Sequence, residues 1–332
     1  MRRTIASAVA AFAVTASLFA AAPANAAEVD ITGSGSSYSN NFIMRCATAY
    51  KAKTGSTVNY NPLGSGTGRS DFATGKTDFG GSDVVYSAAD TVKPASYVTV
   101  PVIGGPIAIV FNVKGVNSMK LDPATISAIF KGTITKWDDP AIKALNPKTT
   151  FPSTDINVVY RSKNSGTSQN FQDYLNQTAG GWTVGGAWTG AKDVPVADSA
   201  AMATTVKGTS SAIGYVDLSD VGSVKFGKVA VKNAKGEFVK PSAKAASKFL
   251  SKQKVNADGS IVMNYGKKIA GAYQVSMVTY MFIPKAGTDK GKAAAAWATY
   301  AVGKCSKKPF PGYAGLTGKA YKTALALAKS GN

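Results

Sequence analysis

The sequence predicts an α/β protein built as two domains. Three observations carry this. Short β-branched stretches alternate with helix-forming ones, and the order strand, glycine-rich turn, helix recurs three times. Once an N-terminal leader is set aside, 306 of the 332 residues remain, more than one hydrophobic core normally organises. Hydrophobic residues make up 45% and charged residues 17%, a globular balance rather than a disordered one. No internal repeat or low-complexity linker marks a boundary, so any division must come from topology.

The leader is read from its three zones. Arg2 and Arg3 supply the positive start, Ile5 to Ala22 the apolar stretch, and Ala24-Asn25-Ala26 a small-residue cleavage point before Ala27. This predicts a signal peptide over residues 1–26 and an exported protein, secreted or periplasmic. The arginine pair also permits twin-arginine export. No cysteine stands at the cleavage point, so a lipid anchor is not expected. No later apolar run reaches spanning length, so a soluble mature chain is expected.

Beyond the leader, residues 29–32 read as a strand entering Gly33-Ser34-Gly35-Ser36-Ser37, followed by a helix over about 38–53. Residues 57–60 form the next strand, Gly64-Ser65-Gly66-Thr67-Gly68 its turn, and 69–74 a helix. Asp78 to Asp83 reads as a strand end and turn. Residues 99–103 and 107–111 are two strong strand candidates, and 156–160 another, leading through a Ser/Gly turn to a helix over 167–176. The Gly/Trp/Thr-rich stretch 180–190 reads as a long loop. Residues 200–207 and 241–251 look helical, 212–216 and 273–283 strand-like. Ala/Lys-rich helices over 286–303 and 317–330 close the chain.

Composition excludes whole classes of chemistry. With no histidine, Ser-His-Asp triads, Cys-His dyads and histidine-ligated zinc are impossible, and neither metal nor cofactor is expected. The formal charge of +20 falls to +18 without the leader, which implies anionic surroundings: nucleic acid, an envelope polymer, anionic lipid or an anionic ligand. The cations are dispersed, mostly single lysines with no basic arm, so nucleic acid is not favoured, and a solvated lysine-rich surface explains the charge equally well. The two cysteines, Cys46 and Cys305, read as one disulfide in an exported protein, the alternative being two buried thiols.

Candidate site residues cluster at the turns. Free N–H groups at a helix N-terminus favour an anion, small residues allow close approach, and hydroxyls add donors. Ser36-Ser37-Tyr38, Gly64-Ser65-Gly66 and Asn164-Ser165-Gly166-Thr167 each open a predicted helix, the last just after Arg161. Any one of them is explained by ordinary N-capping. Three in one chain, with an arginine beside one, point to a shared oxyanion site. Asp83 is unexpected there. Its carboxylate accepts a hydrogen bond only from a ligand that carries a proton, which phosphate does near neutral pH and sulfate does not. Capping of a turn is the alternative role for Asp83.

Several blocks together resemble the solute-binding protein family of bacterial phosphate ABC transporters. They include Ile31-Thr32-Gly33-Ser34-Gly35-Ser36-Ser37, Gly64-Ser65-Gly66, Asp78-Phe79-Gly80-Gly81-Ser82-Asp83, and Lys136-Trp137-Asp138-Asp139-Pro140. Arg161-Ser162 with Ser165-Gly166-Thr167, and Ser211-Ala212-Ile213-Gly214-Tyr215-Val216, complete them. The resemblance runs from about residue 29 to 220 and loosely through the C-terminal quarter. It implies a two-domain, hinge-closing periplasmic-binding-protein-like fold of type II with the ligand in an interdomain cleft. Domain one would be 27–104 plus 274–332 and domain two 105–273, with Cys46 and Cys305 in the two halves of domain one. It also implies a phosphate site: Ser37 and the Tyr38 backbone from the first turn, Ser65 from the second, and Ser165, Gly166 and Thr167 from the third as donors. Arg161 would be the fixed cation and Asp83 the selectivity residue. The partners implied are inorganic phosphate and the membrane permease of the transporter, with a monomeric receptor.

One departure stands out. The family places an acid two positions after the arginine; here the order is Arg161-Ser162-Lys163, so Lys163 becomes a possible modulator of ligand charge preference. Binding or sensing of another oxyanion or a phosphorylated compound is therefore the alternative function. A secreted hydrolase would need a Ser-Lys dyad or a carboxylate pair such as Asp138-Asp139, which reads better as a helix start.

Overall fold

The computed structural model describes residues 28–88, 90–222, 227–285 and 287–331. The leader read over residues 1–26, with its cleavage point, lies outside the described residues. The chain opens with β1 (Ile31–Gly35), α1 (Asn40–Thr54), β2 (Val58–Asn61), α2 (Ser65–Ala73), β3 (Phe79–Ser82) and β4 (Tyr97–Asn112). Next come β5 (Met119–Leu121), α3 (Pro123–Lys131), α4 (Pro140–Leu145), β6 (Asn157–Arg161), α5 (Gly166–Ala179), β7 (Val194–Val196), α6 (Ser199–Gly208), β8 (Ala212–Asp217) and α7 (Leu218–Val221). The rest comprises β9 (Gly227–Lys232), β10 (Phe238–Val239), α8 (Ala243–Leu250), β11 (Lys254–Val255), β12 (Ile261–Val262), β13 (Ser276–Pro284), α9 (Asp289–Tyr300), a π-helical turn Ala301–Ser306 and α10 (Gly318–Ser330).

The strands follow the order β2-β1-β3-β13-β4-β8-β6-β7. β1 pairs parallel with β2 and β3, while β13 lies antiparallel between β3 and β4. β4 is the pivot of the architecture. Its first part, Tyr97 to Pro106, pairs with β13, and its second, Ile107 to Asn112, pairs with β8. Each lobe thus owns a separate stretch of one long strand, the signature of a two-lobed type II periplasmic-binding fold.

Two strands were expected where β4 runs unbroken, because Gly104-Gly105-Pro106 reads as a breaker. The strand continues because its backbone groups find partners locally. Gly104 N donates to Ala314 O at 2.9 Å and Ala314 N to Gly104 O at 2.7 Å. Small residues are required here: a Cβ on Gly104 would stand 2.5 Å from Leu250 Cδ1, and one on Gly105 2.2 Å from Tyr38 Oη.

α1 begins at Asn40 rather than Tyr38, since Asn40 N bonds Ser37 O and holds Ser37 and Tyr38 in a turn ahead of the helix. Two short helices were not anticipated in full. α3 carries Asp122 as N-cap, accepting from Thr125 N at 2.9 Å, with Pro123 at the first helical position. α4 is capped by Asp139 ahead of Pro140, so Asp139 opens a helix. Residues 180–193 carry no regular element, as expected of a long loop. Cys46 of α1 and Cys305 of the π turn form a disulfide with Cα atoms 6.0 Å apart across 259 residues of sequence. Among the described residues, no helix is long and apolar enough to cross a membrane.

Candidate oxyanion-binding cleft

β1, β2, β3 and β6 each end in a turn, and the helices that follow β1, β2 and β6 point their N-termini into one region, while β3 leads through its turn toward β4. β1 delivers Ser36 and Ser37, Gly64 leads from β2 to Ser65 at the start of α2, β3 delivers Asp83, and β6 ends in Arg161 ahead of α5. All of these are buried, as are Ser165 and Thr167.

Asp83 is the most heavily bonded of them. Oδ1 accepts from Ser36 Oγ at 2.6 Å and Thr279 Oγ1 at 2.7 Å, and Oδ2 from Ser65 Oγ at 3.2 Å. Ser65 Oγ also lies 3.1 Å from the Asp83 backbone N–H, and Asn170 Nδ2 donates to the Asp83 carbonyl at 2.8 Å. Burial raises the Asp83 pKa, against the pull of these hydroxyls and of the Arg161 charge. A carboxylate offers about four lone-pair directions, so Oδ2 retains capacity for one more donor.

Arg161 faces Asp83 from the other lobe. Its Nε donates to Ala197 O at 3.1 Å and Nη1 to Ser37 Oγ at 3.3 Å. Nη2 is buried and has no acceptor among the described residues. Burial lowers the Arg161 pKa from its ordinary value, opposed by Tyr215, Asp198 and Asp83. The acid missing from position 163 is thus not replaced by a bonded carboxylate; the guanidinium rests on a backbone carbonyl, with Asp198 acting only through its field. Lys163 itself is exposed and has no ion-pair partner among the described residues.

The third turn divides its labour. Ser165 Oγ accepts from Ser168 N at 3.2 Å as the N-cap of α5, and Ser165 N is committed to Gly186 O at 2.9 Å. The N–H groups of Gly166 and Thr167, in the first turn of α5, have no intrahelical acceptor. Gly166 seats α5 against the opposite lobe: a Cβ there would stand 2.3 Å from Ser65 Oγ and 2.8 Å from Asp83 Cβ.

The structure brings Ser37, Ser65, Asp83, Arg161 and Gly166 together. The Tyr38 side chain turns away: Oη is buried near Gly105 with no partner among the described residues, and the ring packs edge-on against Tyr313 at 5.6 Å. Three contributors were missed. Ser36, the neighbour of the expected donor Ser37, donates to Asp83. Thr279, a polar residue inside the apolar run of β13, reaches the same carboxylate. Ser199, first residue of α6, donates its N–H to Ser37 Oγ at 3.3 Å and brings a fourth helix N-terminus, which Asp198-Ser199 ahead of a helical stretch could have signalled.

Two lobes sharing one strand, with polar groups facing each other between them, define a solute-binding protein of the periplasmic type. The profile of the PBP superfamily domain matches residues 20–304. The phosphate-binding protein PstS 2 of Mycobacterium tuberculosis (strain ATCC 25618 / H37Rv) is 33% identical over 308 residues, covering 86% of this chain and 81% of that protein. The phosphate-binding protein PstS of Xylella fastidiosa (strain Temecula1 / ATCC 700964) is 31% identical over 274 residues, covering 79% and 73%. A solved structure of a high-affinity periplasmic phosphate-binding protein bound with phosphate, PfluDING, superposes with TM-score 0.69 at 20% identity, covering 90% of this chain and 93% of that one. The chain belongs to the PBP superfamily and, within it, to the PstS phosphate-binding proteins.

Proposed function

We propose that this protein binds inorganic phosphate outside the cytoplasm and delivers it to the membrane permease of an ABC importer, without catalysing a reaction. The observation that carries this reading is Arg161 Nη2, a buried cationic donor with no acceptor among the described residues, beside helix N-termini and hydroxyls contributed by both lobes. An uncompensated buried donor is costly, and a bound oxyanion removes the cost. The relatives' names supply the particular oxyanion.

In this reading Ser37, the Tyr38 backbone, Ser65, Ser165 Oγ and the Gly166 and Thr167 N–H groups donate to phosphate, and Arg161 supplies the bidentate cation. Asp83 Oδ2 accepts a hydrogen bond from the ligand's O–H. Lys163 adds a screened positive charge at the rim. Domain one is 27–104 plus 274–332 and domain two 105–273, hinged where β4 changes partner. Export through a leader cleaved after Ala26, with no lipid anchor, belongs to the same reading.

Calorimetric titration with phosphate and sulfate tests it. The parent should bind phosphate and exclude sulfate. Asp83→Asn should admit sulfate, because the amide donates where the carboxylate repelled. A parent that binds neither anion ends the proposal, and a variant that still excludes sulfate removes Asp83 from the selectivity role.

A further inference from the structure

Charge is spread unevenly along this chain. Residues 240–332 contain sixteen lysines, no arginine and two carboxylates, Asp258 and Asp289, for a net +14. Residues 27–239 carry twenty cationic and sixteen acidic side chains, a net +4 over more than twice the length. All sixteen lysines are exposed. Two have carboxylate partners, Lys290 with Asp78 at 3.2 Å and Lys292 with Asp289 at 3.8 Å, and the other fourteen have none among the described residues.

The elements that carry them are neighbours. α8 packs on β4 through Leu250, which lies against Gly104, and the β11–β12 turn at Gly259 lies against Thr99, Pro101 and Leu327 of α10. α10 in turn packs on α9 and the π turn. Lys267 Nζ donates to Lys252 O at 2.5 Å, which draws the Lys267–Lys268 loop over the end of α8. On α10, Lys319, Lys322 and Lys329 fall within an arc of about 80° at the helical period, opposite the buried Ala320, Ala324 and Ala328. None of these lysines belongs to the cleft.

We infer that this lysine face binds a flexible linear phosphodiester polymer that lacks aromatic bases, independently of the cleft ligand. Fourteen unpaired like charges repel one another, and a polyanion relieves the repulsion while releasing its own counterions. Lysine ammoniums are compact, hydrated point charges without the planar fork that reads a fixed geometry, so the face suits repeated phosphates rather than one shaped ligand. Every aromatic ring in residues 240–332 is buried or half-buried, which leaves no stacking platform for nucleobases. Val262 is the single large exposed apolar residue described there, too little to wedge into a bilayer. The lysines are spread over three helices, a π turn, a hairpin and a loop, a path that a flexible chain follows.

The test is titration with poly(glycerol phosphate) while the cleft is saturated with inorganic phosphate. About six phosphate contacts on a flexible chain give a log–log salt slope near −4, hence roughly a 300-fold loss of affinity from 50 to 200 mM salt. The triple variant K319E/K322E/K329E should bind the polymer at least tenfold more weakly, whereas K114E/K143E/K148E, at exposed lysines elsewhere, should stay within twofold. Thermal melting and inorganic phosphate titration should be unchanged in both. Equal loss in the two variants would mean net charge alone, and a salt-independent affinity would remove the electrostatic basis; each overturns the inference. Phosphatidylglycerol vesicles binding as tightly as the polymer would assign the face to a membrane surface and overturn it as well.

Discussion

Gly166→Ala isolates lobe closure from ligand chemistry, since the residue offers the site only a backbone N–H, which alanine keeps. The added Cβ would stand 2.3 Å from Ser65 Oγ, 2.8 Å from Asp83 Cβ and 2.9 Å from Asp83 Oδ2. Rotating Ser65 away would break its bonds to the Asp83 carboxylate and backbone. Ser65 and Asp83 come from one lobe and Gly166 from the other, so opening removes the overlap without disturbing packing within a lobe. Inserting a methyl into such a contact costs about 1–3 kcal/mol, which weakens phosphate binding about 5- to 150-fold. Gly166 sits at the first position of α5 with an ordinary φ. Alanine there lowers the entropy of the unfolded chain, a gain of about 0.4–1 kcal/mol, so the melting temperature without ligand should hold or rise. Calorimetric titration and a ligand-free melt, run on parent and variant together, give both numbers. Phosphate affinity within twofold of the parent, with the melt unchanged, would refute the closure contact.

Further outcomes follow from the same structure. Asp217 is fully buried, with Oδ1 bonded to Ser219 Oγ and Asp220 N; burial first, then the neighbouring Asp220 carboxylate, raises its pKa well above the ordinary value. A raised folded-state pKa stabilises at low pH and loses that contribution as pH climbs through the folded value. The parent should therefore gain stability relative to Asp217→Asn between pH 7.5 and pH 5, measured as the difference in their melting temperatures; a difference of opposite sign counts against the assignment. Replacing both Cys46 and Cys305 by serine should cost about 2–5 kcal/mol and lower the melting temperature by about 5–15 °C. Lys163→Asp should weaken phosphate binding a few-fold at 20 mM salt and hardly at all at 500 mM, because exposed charges act through a screened field; a salt-independent loss would place Lys163 in direct contact with the ligand.

The parts of the site written in local chemistry were legible in the sequence. Three Gly/Ser turns announced three helix N-termini, and Arg161 stood beside one. What escaped came from distant chain. Thr279 looks like one polar residue in the apolar run of β13, and nothing local to it indicates that a carboxylate from residue 83 sits opposite. Ser199 lacks the glycines that made the other turns conspicuous. The replacement for the missing acid is the Ala197 carbonyl, a backbone group that no side-chain pattern reveals. The continuity of β4 failed for the same reason: Gly104-Gly105-Pro106 breaks a strand in isolation, and Ala314, more than two hundred residues later, supplies the partners that keep it running. The Cys46–Cys305 link was readable because only two cysteines exist.

The position of β13 has a consequence for the order in which the molecule assembles. It is the next-to-innermost strand of the first lobe, wedged between β3 and β4, yet it emerges from the ribosome after almost everything else. Until residue 284 arrives, β3 and β4 face each other across a one-strand gap, and Thr279 is not yet present to meet Asp83. The lobe built on the second part of β4 has β8, β6 and β7 in hand much earlier. The second lobe can therefore complete its sheet first, and the cleft is complete only when β13 inserts and an external two-electron oxidant joins the Cys46 and Cys305 thiols.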